Sequence, residues 1–410
     1  MTSDTVWGAG GGGSARPVGY STLLRQREFA GLYASFSLTA AAGTLSGFAL
    51  GSLVQARTGS PLLTALSMFG SSFAAVAGAV TLMSVADGGR PRRTLVALHG
   101  LSLAAVAAQA VPGLPLAARF GLLLVVGFFQ SLGTGARMGL LAEIVPASGY
   151  APARSLMNIT AGGASVLGFG LGGALLAVLS PYQVFGLAGV LAAAATIVVA
   201  ATVRERSVRA ARRPGVRETW RGNVALLGRP GRRALLLNLW VPNGLVVGCE
   251  AVFLPYAPGW AGVLLAAASA GLLLGDLVVG RLLDEAGRAR WAYPLRLLLA
   301  GPFLLFALHP PVVVAVCAAG AAGAGFAATL PLQERLLALT PDAERGQVQG
   351  VESAGRITWQ GIGAAFGGAL AQLLEPGWAI AVLAALSLAV TAASRRAVRR
   401  EAGAVTAGGA

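Results

Sequence analysis

The sequence predicts an all-α polytopic membrane protein, with twelve transmembrane helices arranged as two pseudo-symmetric six-helix bundles. Three observations carry that expectation. Apolar runs long enough to cross a bilayer recur twelve times, an arginine-rich stretch divides them six and six, and short motifs of the first half return in the second at a nearly constant offset. The composition agrees. Of 410 residues, 55% are hydrophobic and 11% charged, with a mean hydropathy of +0.71, whereas soluble domains carry about 25% charge.

Residues 1–24, rich in Gly at their start, are expected to be a disordered cytoplasmic N-terminus. No apolar stretch follows Met1 closely enough for a cleaved signal peptide. A span needs about 20 apolar residues to cross a hydrocarbon core about 30 Å thick. Such runs lie at 29–54, 62–86, 94–112, 116–141, 152–179 and 182–203, within a first bundle of residues 25–203. Residues 204–233 form a cytoplasmic loop. Six further runs follow at 234–256, 260–283, 292–309, 311–333, 348–374 and 377–394, within a second bundle of 234–394, and residues 395–410 form a cytoplasmic tail.

The central loop holds ten arginines in thirty residues, opposed only by Glu205 and Glu218. In a soluble chain a net charge of +15 would suggest nucleic acid. Between apolar runs it reads instead as basic cytoplasmic loops. The connections expected outside hold only Arg57 and Arg119, and Arg137, Arg296 and Arg356 lie within spans, so both termini are expected in the cytoplasm of a multi-pass plasma or inner membrane protein. Cys249 and Cys317 lie in apolar runs without disulfide or metal-ligand spacing, and His99 and His309 are the only histidines. No metal and no cofactor is expected.

The repeat is carried by named residues. Gly172-Gly173-Ala174-Leu175 recurs as Gly367-Gly368-Ala369-Leu370 at an offset of 195, which also pairs Pro146 with Pro341 and Pro181 with Pro376. Asp87 to Arg93 (DGGRPRR) matches Asp284 to Arg290 (DEAGRAR) at an offset of 197. Six plus six spans, a basic central loop and an acidic-basic turn after spans 2 and 8 resemble the major facilitator superfamily, whose signature reads roughly G-x-x-x-D-R-x-G-R-R. The second copy keeps Gly280, Asp284, Gly287, Arg288 and Arg290; the first keeps Asp87, Arg92 and Arg93, with Met83 and Gly88 as departures. The resemblance implies the major facilitator fold over about residues 25–395. It also implies a gating latch, in which Asp87 meets Arg137 or Arg154 and Asp284 acts with Arg288 and Arg290. The plain alternative is a solvated turn obeying the positive-inside rule.

Span 5 carries Gly168, Gly172 and Gly173, residues small enough for close backbone packing. Their spacing is similar to the G-x-x-x-G-P-x-x-G-G signature of exporters in the same superfamily, and so to its twelve-helix drug and siderophore exporter branch, although Phe169 replaces the proline and Ala164 the first glycine. Generic tight packing by these glycines and by Gly367 and Gly368 is the competing reading.

Ionisable groups inside spans cost roughly 2.5–3.5 kcal/mol each on insertion scales, which makes them functional candidates. Glu250 lies in the outer half of span 7, where a carboxyl could take up and release a proton, and Asp276 lies in the inner half of span 8. Glu352 and Arg356, four residues apart in span 11, are expected to neutralise one another. In the superfamily, spans 1, 4, 7 and 10 line the central cavity. There the chain offers Tyr33, Gln130, Asn238, Trp240 and Asn243 as substrate candidates beside Glu250. So apolar a wall with one acid suits an amphipathic molecule better than a sugar.

The expected function is a non-enzymatic one: a secondary active transporter working by alternating access, exporting a hydrophobic or amphipathic small molecule against protons as a monomer among membrane lipids. Uptake or facilitated diffusion of a small metabolite, a membrane-embedded transferase, and a scaffold or DNA-binding role for the basic loop are the alternatives.

Overall fold

The computed structural model describes residues 19–86, 90–206, 228, 230–341 and 344–407. Every element in it is helical. A short helix, Tyr20–Arg25, leads into span 1, Arg27–Thr58. Span 2 is Pro61–Phe69 continued by Ser71–Ala86, span 3 is Pro91–Gln109, span 4 is Leu116–Ile144, span 5 is Ala147–Leu176 and span 6 is Pro181–Thr202. Span 7 is Pro230–Ala251, extended by Phe253–Tyr256, and span 8 is Ala261–Leu282. Span 9, Glu285–Ala300, tightens into a 3-10 helix, Gly301–Leu308. Span 10 comprises Val312–Gly325, the 3-10 turn Phe326–Ala328 and Thr329–Ala338; span 11 is Arg345–Leu373 and span 12 is Pro376–Ala407.

The boundaries follow local chemistry. Gly59, left-handed at φ 60°, stops span 1, and Ser60 caps span 2 by accepting from the Leu63 N–H ahead of Pro61. Ser180 and Gln183 form a capping box at the start of span 6, where Pro181 holds the first helical position. Among the described residues ten helices are long and apolar enough to cross a membrane. The other two predicted spans are the helices Pro91–Gln109 and Arg345–Leu373. Their ends carry Arg92 and Arg93, and Glu352 with Arg356, which lower their mean hydropathy.

Both halves pack by one scheme. Span 1 lies on spans 5 and 6, span 2 on span 4, and span 3 on spans 4 and 6. In the second half span 7 lies on spans 11 and 12, span 8 on span 10, and span 9 on spans 10 and 12. The halves meet where span 5 packs on span 8 and span 2 on span 11. With an even number of spans, both chain ends leave from one side, the terminal face; the opposite side is the distal face. A core of the second half built on Phe253, Phe303, Phe306 and Leu265 takes in Phe48 of the first half toward the distal face. Toward the terminal face each half has its own cluster, around Phe29, Leu140 and Met157 in one and around Leu236, Leu239 and Leu332 in the other.

Candidate functional site: the seam between the halves

The seam is built from glycines, and each glycine's partner shows what its missing side chain permits. A Cβ on Gly168 would lie 2.7 Å from Thr44, and one on Gly172 3.1 Å from Phe48, both of span 1 in the same half. In the second half a Cβ on Gly363 would lie 1.8 Å, and one on Gly367 2.5 Å, from the carbonyls of Gly244 and Gly248 in span 7. Gly173 instead faces across the molecule, where a Cβ would come within 3.1 Å of Gly262 Cα in span 8. Gly368 does likewise, with Leu62 Cα at 2.8 Å and Pro61 O at 2.9 Å in span 2. Thr44 and Gly244, Phe48 and Gly248, and Leu62 and Gly262 are each 200 residues apart, so the repeat holds in three dimensions.

These crossings lie toward the distal face. Gln372 Nε2 donates to Ser60 Oγ at 2.6 Å in the distal turns, and a Cβ on Gly162 would sit 3.4 Å from Leu273 nearer mid-depth. Among the described residues, the terminal-side ion pairs that follow stay within a half. Arg206 joins Glu28 at 2.5 Å to Glu143 at 3.1 Å, Arg93 meets Glu205 at 3.5 Å, Arg288 meets Glu334 at 2.9 Å and Arg232 meets Glu344 at 2.6 Å. Among the described residues the halves are therefore clasped on the distal side, and the terminal-side ion pairs brace each half separately.

The predicted latch residues are dispersed. Asp87 lies outside the described residues. Arg92 donates to the Ala200 carbonyl at 2.6 Å, Arg93 is exposed beside Glu205, and Arg154 and Arg290 are exposed. Arg137 lies over the Phe36 ring at 4.4 Å. Asp284 caps span 9 by accepting from the Gly287 N–H at 2.8 Å, while Arg288 donates to Leu283 O at 2.7 Å. In this arrangement the second motif braces spans 8, 9 and 10 of its own half.

The predicted cavity residues divide. Tyr33 shares a 2.5 Å hydrogen bond with Thr160 of span 5, a partner that no spacing in the chain points to. Gln130 is exposed at the edge of a cavity of about 240 Å3 inside the first half, which Thr39, Ser46, His99 and Ser102 also line. Asn238, Asn243 and Trp240, expected on the central wall, are instead 2%, 1% and 8% exposed and belong to the interior of the second half. Asn238 donates to Ser394, Asn243 accepts from Arg296, and the Trp240 indole donates to Glu352 O at 2.9 Å. A helix presents several faces, and these three residues fall on the faces turned to spans 9, 11 and 12.

Of the two candidate carboxylates, Glu250 is partly buried in the distal half of span 7 and Asp276 is exposed in the terminal half of span 8. Neither forms an ion pair among the described residues. Glu352, by contrast, is buried and bound to Arg356 at 3.3 Å.

Sequence comparison is silent: no protein-family profile and no curated protein matches the chain. Structural comparison is not. A crystal structure of the nucleoside transporter NupG superposes with a TM-score of 0.75 at 13% identity, covering 90% of this chain and 99% of the other. A POT family transporter in complex with a thioalcohol-conjugated peptide gives 0.71 at 10% identity, over 88% and 94%. A bacterial homologue of the human lysosomal transporter Spinster, inward-facing and unoccupied, gives 0.66 at 14%, over 95% and 94%. This is the major facilitator fold. The chain is a multi-pass membrane protein, and the 5–8 and 2–11 seams are where the two bundles of its major facilitator fold meet.

Proposed function

We propose that the chain is a secondary transporter that works by alternating access, releasing a hydrophobic or amphipathic small molecule from the cytoplasm in exchange for protons. The observation that carries the reading is the pair of glycine seams. They join the halves toward the distal face, while the terminal-side clusters and the ion pairs named above among the described residues lie within one half each. A molecule built from two braced bodies on one clasped edge can rock into the converse opening without unfolding either body. The arginine distribution supports a cytoplasmic terminal face and a plasma or inner membrane location. It also supports contact of the basic loop with anionic lipid, while the closed packing of each half suits a monomer.

Glu250 and Asp276 support the proton coupling. A membrane carboxyl without an ion-pair partner is expensive to keep charged, so its protonation can be tied to the conformational step. The apolar composition of the inner faces supports an amphipathic cargo. The structural relatives are named for nucleosides, a lysosomal transporter and a peptide complex, and uptake of a small metabolite is accordingly the second reading.

Reconstitution into proteoliposomes with an imposed pH gradient separates the two. Export predicts gradient-driven movement of an amphiphile toward the distal side that Glu250→Gln uncouples from the gradient. Movement that ignores the gradient in the unmodified protein would sink the coupling, and accumulation toward the terminal side would sink the direction.

A further inference from the structure

The distal face of the second half holds a cavity of about 410 Å3 that the transport reading does not use. Three separate connections wall it: Tyr256 and Trp260 between spans 7 and 8, His309 and Pro310 between spans 9 and 10, and Glu375 and Pro376 between spans 11 and 12. The volume lies within the usual range of small-molecule sites, about 300–1,000 Å3.

Its chemistry is concentrated rather than generic. Of sixteen acidic residues in the sequence, Glu375 is the one that falls in a distal connection, and His309, one of two histidines, falls opposite it. His309 Nε2 lies 2.6 Å from Glu375 Oε1, and the two side chains are 49% and 57% exposed. The imidazole stacks on the Tyr256 ring at 6.2 Å between centroids and 21° between planes. Trp260, 50% exposed, stands on the same wall. His309 is also held in the left-handed region, at φ 49°, as the one non-glycine residue with positive φ among the described residues. Glycine takes that backbone without strain, and asparagine and histidine tolerate it better than most side chains. Gly377 keeps the wall clear, because a Cβ there would lie 3.2 Å from His309 Nε2 and 3.3 Å from the Tyr256 ring.

We propose that this cavity binds a monovalent organic cation with an aromatic or alkyl body, with Glu375 as its counter-ion and the Tyr256 and Trp260 rings covering its apolar part. Aromatic faces attract cations, and a carboxylate beside them sets the sign of the ligand. His309 is the internal competitor. Its contact with Glu375, between two side chains that are each about half exposed, is weak enough for a ligand cation to displace. The other ionisable group at the wall is the Tyr256 hydroxyl, and the next acid, Glu250, stands six residues earlier in span 7. The site does not depend on the direction or coupling of transport.

Equilibrium dialysis of tetraphenylphosphonium against the full-length protein in detergent tests this. One saturable component is expected, weakened about fivefold by Glu375→Gln and by Trp260→Ala, the scale of an exposed ion pair or cation–π contact. Glu250→Gln should leave that component unchanged, which separates it from binding along the transport route. Uncharged triphenylphosphine oxide should not compete for it. His309→Asn, which suits the left-handed backbone, should tighten binding by removing the competitor for the carboxylate. Thermal unfolding of each variant checks that it is folded. A component that keeps its affinity in Glu375→Gln and Trp260→Ala, one abolished by Glu250→Gln, or no saturable binding to the unmodified protein overturns the proposal.

Discussion

Arg296 is a guanidinium buried to 2% exposure with no carboxylate among its hydrogen-bond partners, and a proline explains it. Pro242 has no N–H, so the Asn238 carbonyl four residues earlier in span 7 loses its helical donor. Arg296 Nη2 replaces that donor at 2.8 Å, and its Nη1 donates to Asn243 Oδ1. Arg296→Met should therefore lower stability by about 3 kcal/mol, the scale of leaving two buried acceptors unpaired. In a Pro242→Ala background, where the helix recovers its own donor, the loss should shrink; thermal unfolding of the four-protein cycle measures it. Equal losses in both backgrounds would refute the account. Arg119, 0% exposed, works similarly at the distal end of span 4, donating to the Gln109, Val111 and Leu114 carbonyls that end span 3. Arg119→Lys should not restore the stability lost in Arg119→Ala, because an ammonium cannot span three acceptors set by a planar fork. The types and places of these residues were legible in the sequence, but their partners were not. Asn238 and Asn243 read as cavity polars because span 7 lines the cavity by resemblance, yet which face a residue occupies depends on neighbours far along the chain, 53 positions away for Asn243 and 156 for Asn238.

At the scale of elements, the sequence pattern reached further. The two Gly-Gly-Ala-Leu copies and their offset foretold equivalent helices in the two bundles, since a repeated small-residue motif implies a repeated close approach. It did not foretell that the first glycine of each pair packs within its half and the second across the seam, because both alternatives satisfy the same spacing. Gly363→Ala, whose Cβ would meet backbone at 1.8 Å, should cost about 1–3 kcal/mol in thermal unfolding. Gly163→Ala, with nothing within 4 Å, should be neutral or slightly stabilising. Gly173→Ala and Gly368→Ala should instead leave each half folded and wedge the distal seam, raising the labelling of a cysteine placed at Leu62 by an impermeant maleimide. Unchanged labelling in both would show that the seam relaxes around a methyl group.

For the whole molecule, the distal clasp is a testable constraint. Gln372 and Ser60 touch across the halves at 2.6 Å, so a cysteine pair at these positions should cross-link readily and stop transport reversibly, with reduction restoring it. Cross-linking that leaves the transport rate intact would mean that the distal side need not open. The twelve spans and their two-fold organisation were readable because hydropathy and charge act locally along the chain. The state of opening was not, because it rests on a balance between two packings of one sequence.

The central loop is pinned at both ends, to different bodies. Arg206 is held by Glu28 and Glu143 of the first half, and its hydrogen bond to Glu28 pushes its proton affinity further up. Arg232 is held by Glu344 of the second. Each bundle thus carries its own stub of the connector, and the bundles recognise one another through noncovalent seams. Covalent continuity between them is then dispensable. Two separately translated fragments, cut between Val216 and Arg217, should find each other in the membrane, copurify through a tag on either one, and complement each other in transport.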